Sequence, residues 1–329
     1  MVGRGMPKLT DKMQNALNEA RMLILGSQVL LGFQFRSVFE SGFEKLPHYA
    51  QYLKLSGLAL MVIAVGLLMS PGAYHRIVEE GEDTNSMHRF TTRIMDVALL
   101  PFALGLGIDI FVATDKIVGT ATGIFAGLFS CLFALFFWYG LEAMRRNERK
   151  PAIEEKMAMD SQKKASESEG TKLKDKIKHV LTEARVVLPG AQALLGFQFA
   201  TILMEGFEKL PQSSKYIHLC SLALVGVSIV FLMAPAAYHR IVERGQDSEH
   251  FHRFSGHMLI SAMVPLALGI SGDFFVVARK VTESTLFAVA SAAAIILFFY
   301  GLWFGVTLYS RARRERRGQD VRRQEPKAA

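Results

Sequence analysis

Long apolar stretches separated by short polar breaks dominate the chain. The clearest run from Leu53 to Ser70, Ile94 to Thr114, Ile117 to Leu141, Leu219 to Ala234, Met258 to Ala278 and Leu286 to Tyr309. Each comes near the roughly 20 residues that a helix needs to cross a bilayer. Two weaker stretches, Met22 to Phe39 and Val186 to Leu203, are interrupted by glutamines and, in the first, by Arg36. Eight such segments exceed what one soluble core of ordinary size buries. The pattern therefore predicts an all-α integral membrane protein with eight spanning helices. Ahead of the first weak stretch, Leu9, Met13, Ala16, Leu17 and Ala20 share one helical face and predict an amphipathic helix.

The pattern repeats. Shifting the chain by about 164 residues aligns Lys8–Lys116 with the second half without a gap, with about 51 of 109 positions identical. Shared words include Leu30 to Phe35 with Leu194 to Phe199, Phe43 to Pro47 with Phe207 to Pro211, and Ala73 to Glu79 with Ala237 to Glu243. A tandem duplication fixes the expected organisation. A first four-helix membrane repeat with its amphipathic helix fills 1–141, and a charged linker follows at 142–171. A second four-helix repeat fills 172–310, and a basic tail ends the chain at 311–329. In the words around Glu44-Lys45 and Glu208-Lys209, Pro47 and Pro211 are expected to stop the first helix of each copy.

Composition by itself leaves the class open: half of the 329 residues are hydrophobic and the formal net charge is +8. High apolar content excludes a disordered chain. Two cysteines, Cys131 and Cys220, exclude a disulfide-stapled secreted module. The +8 first points to nucleic acid, but its location removes that reading. Glu142 to Lys178 holds about 11 Lys/Arg against 8 Asp/Glu, and Arg311 to Ala329 about 8 against 3, which together account for the whole excess. Lys and Arg otherwise gather before helix 1, between helices 2 and 3, and after helix 4 of the first copy. The positive-inside rule then places both termini, the 2–3 loops and the linker in the cytoplasm. An even number of spans per copy makes the copies parallel. No cleavable signal peptide is evident, and the expected location is the bacterial plasma membrane.

Helix 3 carries the most chemically suggestive pattern. Pro101, Gly105 and Asp109 are spaced by four and share a face; Pro265, Gly269 and Asp273 repeat it. A proline within a helix leaves the carbonyl four residues earlier, at Val97 or Ser261, without its amide partner. An ionisable residue at membrane depth is a functional hypothesis by default, here an ion or proton site. The structural alternative pairs Asp109 with Lys45 or Lys116 at the outer interface. Helix 1 offers Gln28 and Gln34, repeated as Gln192 and Gln198, either as amides that join helices or as a polar path. Arg36 and Glu40, four apart, occur in the first copy only; they either neutralise one another or mark a specialised site there.

The 2–3 loops hold six of the nine histidines. His75-Arg76 and His88-Arg89 recur as His239-Arg240 and His252-Arg253. Anionic lipid headgroups or helix ends are the expected contacts, with Glu79 and Glu243 as salt-bridge partners; pH regulation is an alternative. No metal is expected, because no ligand pair of characteristic spacing recurs in both copies. The arginine-rich tail directly follows a spanning helix and reads as an anionic-lipid anchor. No phosphate loop, nucleophile elbow or zinc-protease motif is present, so neither an enzyme nor a cofactor is expected.

The words Glu183-Ala184-Arg185-Val186, Pro189-Gly190, Gln192, and Ala234-Pro235 with His239-Arg240 resemble an uncharacterised bacterial multi-pass membrane family. It is a domain of unknown function whose members often carry an automatic sodium:proton antiporter label. Typical members resemble one copy of the four-helix unit, so the resemblance covers both halves apart from linker and tail. The first copy departs from it at Leu25, where the second has Pro189. Two function classes follow. One is a transporter-like protein moving protons or small cations, with Asp109 and Asp273 as carriers and the helix 3 carbonyls as supplementary ligands. The other is a non-catalytic membrane scaffold or sensor acting on lipid or a partner protein through its His-Arg loops and basic tail. An oligomer is compatible with either.

Overall fold

The protein is described here from a computed structural model, which covers residues 9–82, 84–140, 173–241 and 248–324. The linker at 142–171 and Glu243 lie outside the described residues. The first half consists of α1 (Leu9–Ser37), α2 (His48–Ile77), α3 (Asn85–Ile117) and α4 (Thr120–Leu135), the last continuing into a π-helical turn at Phe136–Gly140. The second half consists of α5 (Leu173–Ile202), α6 (Gln212–Ile241), α7 (Glu249–Thr282) and α8 (Thr285–Tyr300). A π turn at Gly301–Gly305 then joins α8 to α9 (Val306–Gln324). No strand occurs among the described residues.

Local chemistry sets the helix ends. Thr84 and Ser248, equivalent at the 164-residue offset, each accept the backbone N–H three residues on, from Met87 and Phe251, both at 3.0 Å. Such side-chain caps satisfy one of the amides that a first turn leaves unpaired. Pro47 begins α2 as its N-cap, whereas α1 has already ended at Ser37. The proline therefore starts the second helix instead of stopping the first, because a helix start has no use for the missing N–H. Pro71 lies inside α2 and frees the Leu67 carbonyl, which accepts the Ser70 hydroxyl at 2.8 Å.

Six helices are long and apolar enough to cross a membrane, which marks a membrane protein: α2, α3, α4 with its π turn, α6, α7, and the continuous Thr285–Arg316. In α5 only the shorter stretch Val187–Ile202 is apolar. Outward faces are rich in large apolar side chains, including Phe125, Phe129, Leu132 and Phe133 on α4 and Leu219, Val230 and Met233 on α6.

The core sits between the halves. α1 and α5 lie side by side at small residues. A Cβ added at Gly32 would fall 2.1 Å from the Phe197 ring and one at Gly190 1.4 Å from Gln28 Oε1; just beyond the two helices, one at Gly206 would fall 2.4 Å from the Phe39 carbonyl oxygen. The halves are not joined symmetrically. α2 packs on α7, α8 and the following π turn, with Gly66 against Phe298 and Phe299. The buried Trp303 donates its indole N–H to the Gly66 carbonyl at 2.8 Å. Val230, the α6 counterpart of Gly66, is 65% exposed.

Candidate functional site

The candidate site grows from the common face of helix 3. Gly105 lies against α2, where an added Cβ would meet Met61 at 3.4 Å and the Gly57 carbonyl at 3.5 Å. Gly269 is tighter still against α6, 3.0 Å from the Ser221 carbonyl. The glycines thus let helix 3 approach helix 2, and the acid one turn further on meets side chains of two other helices. Asp109 accepts from Lys54 Nζ of α2 at 2.6 Å and from the Gln34 amide of α1. Asp273 accepts from the Gln198 amide of α5 at 2.5 Å and lies 3.1 Å from Nδ1 of His218 in α6. His218 Nε2 faces the Gln198 backbone carbonyl at 3.2 Å.

Lys54 and His218 occupy the same position at the 164-residue offset, as do Gln34 and Gln198. Each half therefore holds a glutamine, a basic side chain and an aspartate drawn from its first three helices. The partner of Asp109 is Lys54, not the expected Lys45 or Lys116. The reason is that Asp109 faces α2, whereas Lys116, beyond it on α3, reaches the Gly42 carbonyl at 3.4 Å. The side-chain amide oxygens of the same residues, Gln34 Oε1 and Gln198 Oε1, are both buried without a hydrogen-bond partner.

The two constellations differ in burial. Lys54 and Asp109 keep 15% and 22% side-chain exposure, whereas His218 and Asp273 keep 0% and 5%. Phe35, contributed by the first half, stacks on the His218 imidazole at 5.7 Å, and Phe207 meets it edge-on at 5.0 Å. Phe199, the counterpart of Phe35, is instead 54% exposed. A small cavity of about 10 Å³, roughly one water's worth, borders Asp273 between the halves, walled otherwise by apolar side chains such as Leu31, Leu58, Val62 and Phe274.

The other sequence candidates lie elsewhere. Pro101 and Pro265 are buried, but the carbonyls they free, at Val97 and Ser261, lie twelve residues before each aspartate, ~18 Å along the helix. They are not brought to the acids. Nearby carbonyls of the same region are covered: Tyr139 donates to that of Asp96, Tyr300 to that of Val264 at 3.2 Å, and Ser228 to that of Ala262 at 2.8 Å. Gln28 is buried, its amide 3.8 Å from Met69 Sδ, whereas Gln192 is exposed. Arg36 and Glu40 pair with each other at 3.1 Å on the surface.

At the far end of α2 the His-Arg residues split. His75, Arg76 and His252 are buried, with Arg76 Nη1 3.0 Å from His252 Nε2 across the two halves. His88 is half-buried, and Arg89 and Arg253 are exposed. The side chains of His239 and Arg240 lie outside the described residues. Glu79, the expected partner of this cluster, pairs with Arg314 of α9, and Glu80 with Arg311 at 2.9 Å. α9 runs past the end of α2, and the same two arginines reach the Ile77 and Val78 carbonyls at 3.4 Å. Cations at a helix C-terminus are stabilised by its dipole.

Lys54 and His218 are not among the residues that the sequence pattern singles out. The signal was available: two basic side chains at one repeat position, Lys54 just inside the apolar stretch that opens at Leu53 and His218 just before the one that opens at Leu219. Among the described residues no group of three or more His, Cys, Asp or Glu is gathered as for a metal ion. No curated protein and no solved structure matches the chain. One family model matches it twice, over residues 7–142 and 166–307, consistent with a domain present in two tandem copies. By that match the chain belongs to DUF6328, a family of unknown function.

Proposed function

We propose that this is a non-enzymatic, transporter-like protein of the bacterial plasma membrane that moves protons or small cations through the helix 3 aspartates. In this reading α1 and α5 join the six long apolar helices as spans, giving eight in two parallel four-helix repeats. Both termini and the 2–3 loops face the cytoplasm. The observation that carries the reading is the recurrence, in each half, of a Gln–base–Asp constellation held by three helices. Polar groups of this kind are costly at membrane depth, where they mark ion and proton pathways. The donor set favours protons over metal cations: an ammonium already stands against Asp109, and an imidazole against Asp273.

Reconstituted protein in vesicles loaded with a pH-sensitive dye tests this. A proton flux is expected that falls to the protein-free level in the double variant Asp109→Asn, Asp273→Asn. Flux unchanged in that variant would show the site to be wrong.

A second reading, a lipid-binding scaffold or sensor, draws on the exposed Arg89, Arg253, Arg313 and Arg316. It is narrowed by the buried His75, Arg76 and His252, and by the pairing of Arg311 and Arg314 with glutamates of the same chain.

A further inference from the structure

The two constellations are equivalent in position but not in proton chemistry, and their geometry allows the protons to be counted. His218 Nε2 faces a backbone carbonyl, which only accepts, so Nε2 carries a hydrogen. Nδ1 faces Asp273 Oδ1 at 3.1 Å. Were Nδ1 bare and the carboxyl ionised, two lone pairs would oppose each other in a buried site. A single further proton turns this contact into a hydrogen bond, whether it resides on nitrogen or on oxygen. The buried pair is then neutral as a whole, either as imidazolium with carboxylate or as imidazole with carboxylic acid.

Loss of that proton leaves neutral imidazole and a carboxylate, net −1, held by the Gln198 amide alone. In the first half the Lys54 ammonium supplies the matching hydrogen bond. An alkylammonium keeps its proton across the range in which an imidazole exchanges one.

We propose that the His218–Asp273 pair of the second half is the protein's proton-exchange site, taking up and releasing one shared proton, while Lys54–Asp109 is a permanently loaded counterpart. This deepens the transporter reading, on which it rests for movement of the proton but not for its binding.

The surroundings fit one exchangeable proton. From α1 the pair meets Phe35, from α5 Gln198, from the turn after α5 Phe207, and from α2 the apolar Leu58 and Val62 across the cavity. The nearest charged groups on its own helices are engaged at the helix ends. Lys215 binds the Glu208 carbonyl at 2.7 Å, and Arg279 binds Ser213 and Ser214 at 2.7 and 3.2 Å. Asp273 is thus the only carboxyl group within hydrogen-bonding reach of His218 among the described residues. Gln198 Oε1, buried and unpartnered beside the acid, is an acceptor for a water or for the carboxyl proton during exchange.

Infrared difference spectroscopy of the full chain in lipid vesicles, titrated between about pH 4 and 10, reads the carboxyl proton. Ring-nitrogen NMR of histidine-labelled protein reads the imidazole. Wild-type protein is expected to show the Asp273 carboxyl and the His218 ring changing together, as one event of one proton. The infrared signal should vanish in Asp273→Asn and in His218→Lys, which reproduces the first half's pair, and persist in Asp109→Asn.

A signal that survives His218→Lys, or disappears with Asp109→Asn, would overturn the assignment. So would wild-type His218 and Asp273 titrating as two independent groups, a measurement that needs no variant to fold. One-proton exchange without flux leaves the assignment standing and removes the transporter reading. Flux that depends on Asp109 alone does the reverse.

Discussion

Lys54 is the residue on which the difference between the two sites turns. Its ammonium and the Asp109 carboxylate are 2.6 Å apart and only partly exposed. Removing one partner strands the other charge in a poorly solvated place. For a fully buried pair the cost is about 3–5 kcal/mol; with the exposure kept here, Lys54→Met is expected to destabilise by about 1–3 kcal/mol. Replacing both, as Lys54→Met with Asp109→Leu, should recover part of that loss, since no lone charge remains. Thermal unfolding in detergent checks both variants; a harmless Lys54→Met would show the pair to be incidental. The same position in the second half is a histidine enclosed by Phe35 and Phe207, so one substitution between copies exchanges a fixed charge for a titratable one.

Among the elements, the last helix is the most informative. Straight continuation of α8 into α9 is interrupted by the π turn Gly301–Gly305, which carries Trp303. A π turn adds a residue per turn and re-aims the side chains that follow. Trp303 is wholly buried against α2 and donates to the Gly66 carbonyl. Trp303→Phe removes that donor and part of the ring volume, and is expected to cost about 1–3 kcal/mol. A melting temperature unchanged by the substitution would deny the indole any role in joining the halves. Two residues beyond the π turn, Thr307 of α9 donates its hydroxyl back to the Trp303 carbonyl at 2.6 Å. Arg311 and Arg314 then hold the end of α2. Gly66 and its counterpart Val230 show the consequence in sequence: the position covered by aromatic rings is a glycine, and the uncovered one carries a valine side chain.

For the whole molecule, the halves are also joined by charge at the end opposite the arginines. Glu44 of the first half bonds Lys209 at 3.0 Å and Lys280 at 3.1 Å, both from the second. Hydrogen bonds from Lys209, then from Lys280, hold the Glu44 carboxyl below its ordinary 4.5. A carboxylate depressed in the folded state stabilises above its unfolded value and loses that contribution as pH falls through the folded one. Stability should therefore decline on acidification below about pH 4.5, less steeply in Glu44→Gln, with the difference shrinking at high salt. The effect is expected to be small because Glu44 is 40% and Lys209 53% exposed. Unfolding midpoints across pH and salt give the comparison, and identical acid slopes in variant and parent would remove Glu44 from the account.

The all-helical class, the apolar segments, the duplication and the helix 3 acids are all legible in the chain before it folds. These follow from periodicity, run length and self-similarity, which depend on local order along the chain. The sequence also shows that Gln34 and Gln198 recur, but not what they touch. Tertiary packing is what brings each glutamine to the aspartate 75 residues on, completes the two constellations with Lys54 and His218, and sets the rings of Phe298, Phe299 and Trp303 against Gly66 of α2 while Val230 of α6 stays exposed. Such choices are set by how helices pack across distances that no local pattern encodes. Two related copies in one chain are packed unequally, and that inequality leaves the Lys54 ammonium partly exposed while it buries the His218 imidazole.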